Sequence, residues 1–394
     1  MIAKKTRELV AGSSAIRAMF EEGKKLIDLH GAENVYDFSL GNPNMPVPAR
    51  INQAIADILR NENERLVHGY MNNAGHEDVR AAVAASINRR FATRFHARNI
   101  LMTVGAAGGL NVILKTLLDP EDEVVVFAPY FVEYRAYADT YGGKIVVAPP
   151  DPTNFQPDLN AFAEALTSRT KAVIVNSPNN PSGAVYSEDT IQKIAAILRK
   201  ARETFGTDIY LIADEPYREL AYDGVFVPYI PKYYENTIVA YSFSKSLSLP
   251  GQRIGYLVIP DEVADFEEVA DGATAANRVL GFVNAPSLMQ RVTARCADIE
   301  IDPSGYNRNR EALYRGLLDA GYECVKPQGA FYLFVKSPIE DDKAFCQMAK
   351  KHNILVVPGS VFAYPGYFRI SYGVAYETIV ASLPAFQKLK SETT

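Results

Sequence analysis

The chain has 394 residues, 48% hydrophobic and 22% charged, with a formal net charge of −5. That composition can bury a large core, and the length exceeds one ordinary domain, so two domains are expected. An acidic balance without a long basic run gives no footing for nucleic-acid binding, and no segment approaches the apolar length of a membrane helix.

The opening MIAKKTRELV carries positive charge with no apolar stretch behind it, so no secretory signal is expected. The first forty or so residues read as a helical arm. Apolar runs of strand length then recur between helix-like stretches: ILMTV (100–104), EVVVFAP (123–129), KAVIVNSP (171–178), IYLIADEP (209–216), TIVAYSF (237–243) and RIGYLVI (253–259). Near-continuous Val/Ile runs suit strands buried on both faces. Between them lie amphipathic segments such as EDTIQKIAAILRKARETF, with apolar residues at helical spacing. Past Pro286 the pattern changes to one or two long helices, followed by the strand-like AFYLFVK and ILVVPG. The fold class predicted is α/β, with a large domain built on a mostly parallel sheet flanked by helices and a smaller α+β domain. The arm and part of the small domain are placed at 1–45, the large domain at 46–285 and the small C-terminal domain at 286–394. Cys296, Cys324 and Cys346 are odd in number and widely spaced, which fits neither a disulfide framework nor a zinc site and suits a reducing cytoplasm. The histidines are scattered, so no metal site is predicted.

Ligands of an open parallel sheet bind beyond the carboxyl ends of its strands. Five of the apolar runs finish there in polar stretches: GAAGGL, PYF, NSPNNPSG, DEPY and SFSK. Gly105, Ala106 and Ala107 open a helix whose free N–H groups could hold a phosphate, or could simply form a turn. Asp214 follows LIA directly, so it is either a buried carboxylate in need of a cation or a cap for the next turn. Asn180 lies in strong turn chemistry. Lys245 is the sharpest case: a lysine at a strand end in a crevice is driven toward its neutral, nucleophilic form by desolvation and nearby positive charge. Ser242, Ser244 and Arg253 supply anion contacts beside it. A lysine, phosphate donors and a lone aspartate together describe a socket for pyridoxal 5'-phosphate, which has an aldehyde, a phosphate and a ring nitrogen.

SxSK followed by RxG, with NNPSG and DEPY in the right order, resembles the class I/II aminotransferases of the pyridoxal-phosphate fold type I superfamily. The resemblance runs from FSLGNP (38–43) to FRISYG (368–373). It implies that Lys245 holds the cofactor as a Schiff base and carries the proton, and that Asp214 pairs with the ring nitrogen. It further implies that Asn180 and Tyr217 bond the ring oxygen, Phe131 stacks on the ring, and Ala106, Ala107, Ser242, Ser244 and Arg253 bind the phosphate. Tyr70, in GYMNNAG, would reach the phosphate of a neighbouring subunit, implying a homodimer with shared sites. Arg369 would clamp the substrate α-carboxylate, helped by Gly41 and beside Asn180. The activity implied is ping-pong transfer of an amino group from an L-amino acid to a 2-oxo acid. The alternative is β-elimination by a carbon–sulfur lyase on the same fold. A non-catalytic regulatory protein is the remaining competitor, expected to lack the lysine or aspartate or to carry a DNA-binding helix-turn-helix domain. Arg278 and Arg291 are read as solvated helix charges rather than as readers of a distal carboxylate.

Overall fold

The structure, a computed structural model, describes residues 2–11 and 15–393. Its strands in chain order are β1 (Tyr36–Asp37), β2 (Ile100–Thr103), β3 (Glu123–Phe127), β4 (Lys144–Ala148), β5 (Thr170–Asn176), β6 (Tyr210–Asp214), β7 (Thr237–Ser242), β8 (Gly255–Val258), β9 (Tyr332–Lys336), β10 (Ile354–Leu355), β11 (Val357–Pro358) and β12 (Tyr367–Ser371).

Seven of them form one sheet in the order β2-β8-β7-β6-β5-β3-β4. The Val/Ile runs make its centre because both faces are covered. Val125, Val173, Leu211 and Val239 enter one core, and their neighbours Val124, Ile174, Ile212 and Ile238 enter the other, as the two-residue period of a strand requires. The helices Gly105–Leu117, Glu133–Thr140 and Phe266–Val279 cover the second face. The edge strand β4, in KIVVA, is not among the predicted strands. Four of its five side chains are partly or fully exposed, so burial does not press its sequence into the all-apolar pattern of the central strands.

Strand β8 runs antiparallel to both β2 and β7 while the other four pairings are parallel. Only residues 243–254 separate it from β7, and they hold a four-residue helix and a short 3-10 turn. That is too little chain for a crossover back to the far end of the sheet. The reversal has a consequence for the site: the residues that precede β8, Arg253 among them, lie at the same edge as the carboxyl ends of β2, β3, β5, β6 and β7.

A three-stranded antiparallel sheet, β11-β12-β9, packs with the helices Ser304–Asp319, Asp342–Lys350 and Tyr376–Ser391 around a core of its own. Val35 and Phe38 of the early chain enter this core, and β1 pairs in parallel with β10. The helix Ser287–Cys296, by contrast, turns Met289, Val292 and Cys296 into the core of the large sheet. No helix among the described residues is long and apolar enough to cross a membrane.

Candidate active site

The carboxyl edge of the large sheet and the face of the small sheet enclose a cavity of about 290 Å³. Gly41, Ala106, Ala107, Phe131, Asn180, Asp214, Tyr217, Ser242, Ser244, Lys245, Arg253 and Arg369 line it, together with Leu110, Asn176, Pro216, Pro250 and Tyr332. Residues from five strand ends thus converge on one space. Gly105 lies just behind the wall, below the guanidinium of Arg253, where an added Cβ would stand 3.0 Å from Nη2. Its φ of +74° also favours glycine.

Sheet register builds the floor. Asn176 of β5 pairs with Asp214 of β6, and Asp214 with Ala240 of β7, two residues before Ser242. The Asn176 amide donates to the Asp214 carbonyl at 2.9 Å, and its own oxygen accepts the Asn180 N–H at 2.8 Å. The turn carrying Asn180 is thereby tied to the strand carrying the carboxylate. Asp214 is only 5% exposed. Its Oδ2 accepts from the Tyr134 hydroxyl at 2.5 Å, while Oδ1 is buried with no partner. No cation pairs with it among the described residues, contrary to the expectation for a buried carboxylate. Burial accordingly pushes its carboxyl up to about 7, against the pull of the Tyr134 hydroxyl and with a further push from Glu215.

Lys245 sits in the four-residue helix Phe243–Ser246 that follows β7. Its Nζ donates to the Gly41 carbonyl and lies 5.3 Å from the centre of the Phe331 ring. Desolvation first, then Arg369 and Arg253, lower its pKa to about 8. No carboxylate among the described residues offsets them. Ser242 caps the short helix, accepting from the Ser244 N–H at 3.2 Å, and the two hydroxyls meet at 2.7 Å.

Arg253 donates to two backbone carbonyls, Pro250 at 3.0 Å and Val104 at 3.2 Å. The second contact sets it at the start of the helix Gly105–Leu117, whose N-terminus has no side-chain cap. A cation and the free N–H groups of a first turn therefore share one corner.

Arg369, 2% exposed, comes from the small sheet. It donates to Asn180 Oδ1 at 3.0 Å and to the Ser39 carbonyl at 2.5 Å, and its Nε has no partner. Desolvation lowers its pKa. Its guanidinium lies over Tyr332 at 4.7 Å, a contact set by pairing of Ser371 with Tyr332, which makes Arg369 their diagonal neighbour on the same face. Tyr332 in turn hydrogen-bonds Tyr217, hydroxyl to hydroxyl, at 2.9 Å. A Cβ on Gly41 would stand 2.0 Å from the Tyr332 hydroxyl, so only glycine fits there without displacing the ring.

Three polar neighbours of this site are absent from the sequence prediction. Asn176 was legible as the polar residue closing an apolar run, in the same stretch as Asn180. Tyr134 carries a weaker signal, one helical turn beyond Phe131. Tyr332 carries none, because an aromatic in AFYLFVK looks like core until β9 is paired with β12. Tyr70 is 94% exposed and lies outside the cavity wall. Arg278 is exposed, and Arg291 is held by Glu62 at 2.6 Å and does not line the cavity.

A family model described as aminotransferase class I and II matches residues 32–381. The chain is 31% identical to an aspartate/prephenate aminotransferase of Thermus thermophilus over 89% of each chain. It is 30% identical to aromatic-amino-acid aminotransferase 2 of Thermococcus litoralis over 94% of this chain and 96% of that one. Among solved structures, an amino transferase from Eubacterium rectale superposes with a TM-score of 0.96 at 45% identity, covering all of both chains.

Proposed function

The chain belongs to the class I and II aminotransferase family and is an aminotransferase, and from that membership we propose that the cavity between its two sheets holds pyridoxal 5'-phosphate. The relatives' names do not favour the carbon–sulfur lyase alternative. The observation that carries the proposal is the match between orphaned groups and the cofactor's three handles. Asp214 Oδ1 is a buried acceptor without a donor, suited to a protonated ring nitrogen. The uncapped helix at Gly105 and the acid-free Arg253, with Ser242 and Ser244, suit a phosphate. Lys245, with its pKa lowered, suits an aldehyde.

Once bound, the cofactor supplies an aldehyde for the lysine and a ring that takes up electron density from the amino acid's Cα. Arg369 receives the substrate α-carboxylate through its two Nη groups, with Asn180 and the Gly41 backbone beside it. That grip orients the Cα–H bond toward Lys245. Lys245 Nζ then takes the Cα proton and returns it, aided by a pKa close to neutrality. Asp214, as the anion, would keep the ring nitrogen protonated. Phe131 would lie against the ring face, and Asn180 and Tyr217 would donate to its oxygen.

Tyr70, Leu59 and Leu66 are large apolar side chains left exposed on one stretch of chain. We assign that stretch to a homodimer contact through which Tyr70 reaches the partner's phosphate site. The packing of the helix Ser287–Cys296 against the large-sheet core supports a domain division after that helix rather than before it. A cytoplasmic location suits three cysteines that are all free.

The test is a visible spectrum of the purified protein with pyridoxal phosphate. The band is expected to fade with an amino acid alone and to return with a 2-oxo acid. Lys245→Ala is expected to lower turnover at least about a thousandfold. Wild-type rates in that variant would end the proposal.

A further inference from the structure

Tyr134 stands behind Asp214, outside the cavity lining. It is 1% exposed and belongs to the helix Glu133–Thr140. Its hydroxyl donates to Asp214 Oδ2 across 80 residues of sequence. A phenol has one O–H, so donation to Oδ2 exhausts it and leaves Oδ1 for another donor. Its ring packs edge-on against Phe131, with centroids 5.6 Å apart and planes at 83°, and lies nearly parallel to Tyr130 at 6.3 Å. One side chain therefore touches both the carboxylate and the residue assigned to the cofactor's ring face.

We propose that Tyr134 is a positioning residue that holds Asp214 in the orientation and the ionised form the cofactor's ring nitrogen needs. The inference rests on the assignment of the cavity to pyridoxal phosphate. A hydrogen bond donated to a carboxylate favours the anion, and here it opposes burial. The other groups facing Asp214 do not take over that task. Glu215 repels a second negative charge, and Tyr137 from the same helix and Tyr217 beyond β6 are neutral phenols at working pH. Asn176 of β5 spends its amide on the Asp214 backbone, and the β7 partner is Ala240. Of the cations on the cavity wall, Lys245 and Arg253 donate to backbone carbonyls, and Arg369 to Asn180 and the Ser39 carbonyl.

The experiment is titration of the cofactor-free protein with pyridoxal phosphate from pH 5 to 9, followed by its visible band. Tyr134→Phe keeps the ring contacts and removes the O–H. It is expected to weaken cofactor binding about tenfold at pH 7 and to move the acid-side midpoint up by about one pH unit, from the size of a hydrogen bond to a charged group. A 3-fluorotyrosine placed at position 134 is near-isosteric and a stronger donor, and should move the midpoint down. Tyr130→Phe, whose hydroxyl accepts from Arg135, should match wild type in both measurements. An unchanged affinity and midpoint in folded Tyr134→Phe overturn the inference while leaving the cofactor site standing. If that variant does not fold, an unchanged midpoint with 3-fluorotyrosine does the same. Wild-type protein that takes up no cofactor overturns the cofactor site, and this inference with it.

Discussion

Two arginines line the cavity, and neither has a carboxylate partner among the described residues, whereas Arg90, Arg169, Arg218, Arg291 and Arg310 each pair with an Asp or Glu. Arg253 is held by backbone carbonyls at the exposed mouth of a helix N-terminus. Arg369 is buried, shares Asn180 and Ser39, and lies against two aromatic rings, Tyr332 and Phe362. The first can be solvated when no anion is present. The second cannot, and its burial without a counter-charge costs stability that an arriving carboxylate restores. The difference separates an anchoring cation from a sensing one. It also ties the two anion sites to different sheets, so the relative placement of the two domains sets the distance between them.

The comparison breaks most severely through Arg369. Arg369→Leu is expected to lower kcat/KM for amino acids about a hundredfold or more while the cofactor band stays intact, as steady-state kinetics and absorbance will report. The same variant should be more stable than wild type without ligands, by roughly 1 kcal/mol or more, because a desolvated charge is gone. Arg253→Leu should do the reverse: cofactor affinity falls about tenfold to a hundredfold, apparent KM at saturating cofactor is unchanged, and ligand-free stability is little altered. Equal effects of the two substitutions on cofactor binding would end the distinction.

The deep end of the cavity has its own signature in the pH dependence of stability. Asp214 has a folded pKa of about 7 and an ordinary value of 3.8, so between those values the folded state holds a proton that the unfolded chain has released. Its contribution therefore falls as pH rises from about 4 to 7 and is level above that, by an amount of order a few kcal/mol. Lys245, at about 8 against an ordinary 10.5, gives the opposite slope: its penalty is full below pH 8 and is relieved as pH rises toward 10.5. Thermal unfolding of ligand-free Asp214→Asn and Lys245→Met against wild type should isolate the two slopes. The smallest effect is at the roof, where Gly41→Ala must push the Tyr332 ring aside, costing about 1–3 kcal/mol in denaturant unfolding.

Much of this was written locally. Val/Ile runs ending in polar clusters mark strands of a two-faced sheet and the edge where their ends converge. Lys245, Asp214 and Asn180 are legible because each stands where an apolar run stops, and Arg253 because it stands where one begins, chemical discontinuities visible in a few residues. Arg369 rests on resemblance, since nothing in FRISYG by itself distinguishes it from an edge charge.

The sequence by itself determined the strand–helix alternation, the second smaller unit and the polar edge, because hydrophobic periodicity and turn chemistry act over short stretches of chain. Only the tertiary structure decided that β8 reverses and brings Arg253 to that edge, and that Tyr332 lies diagonal to Arg369. It also decided that Tyr134 reaches Asp214. Those facts depend on register and on contacts between residues dozens to hundreds of positions apart. They are set when whole faces are buried together, which no local pattern encodes.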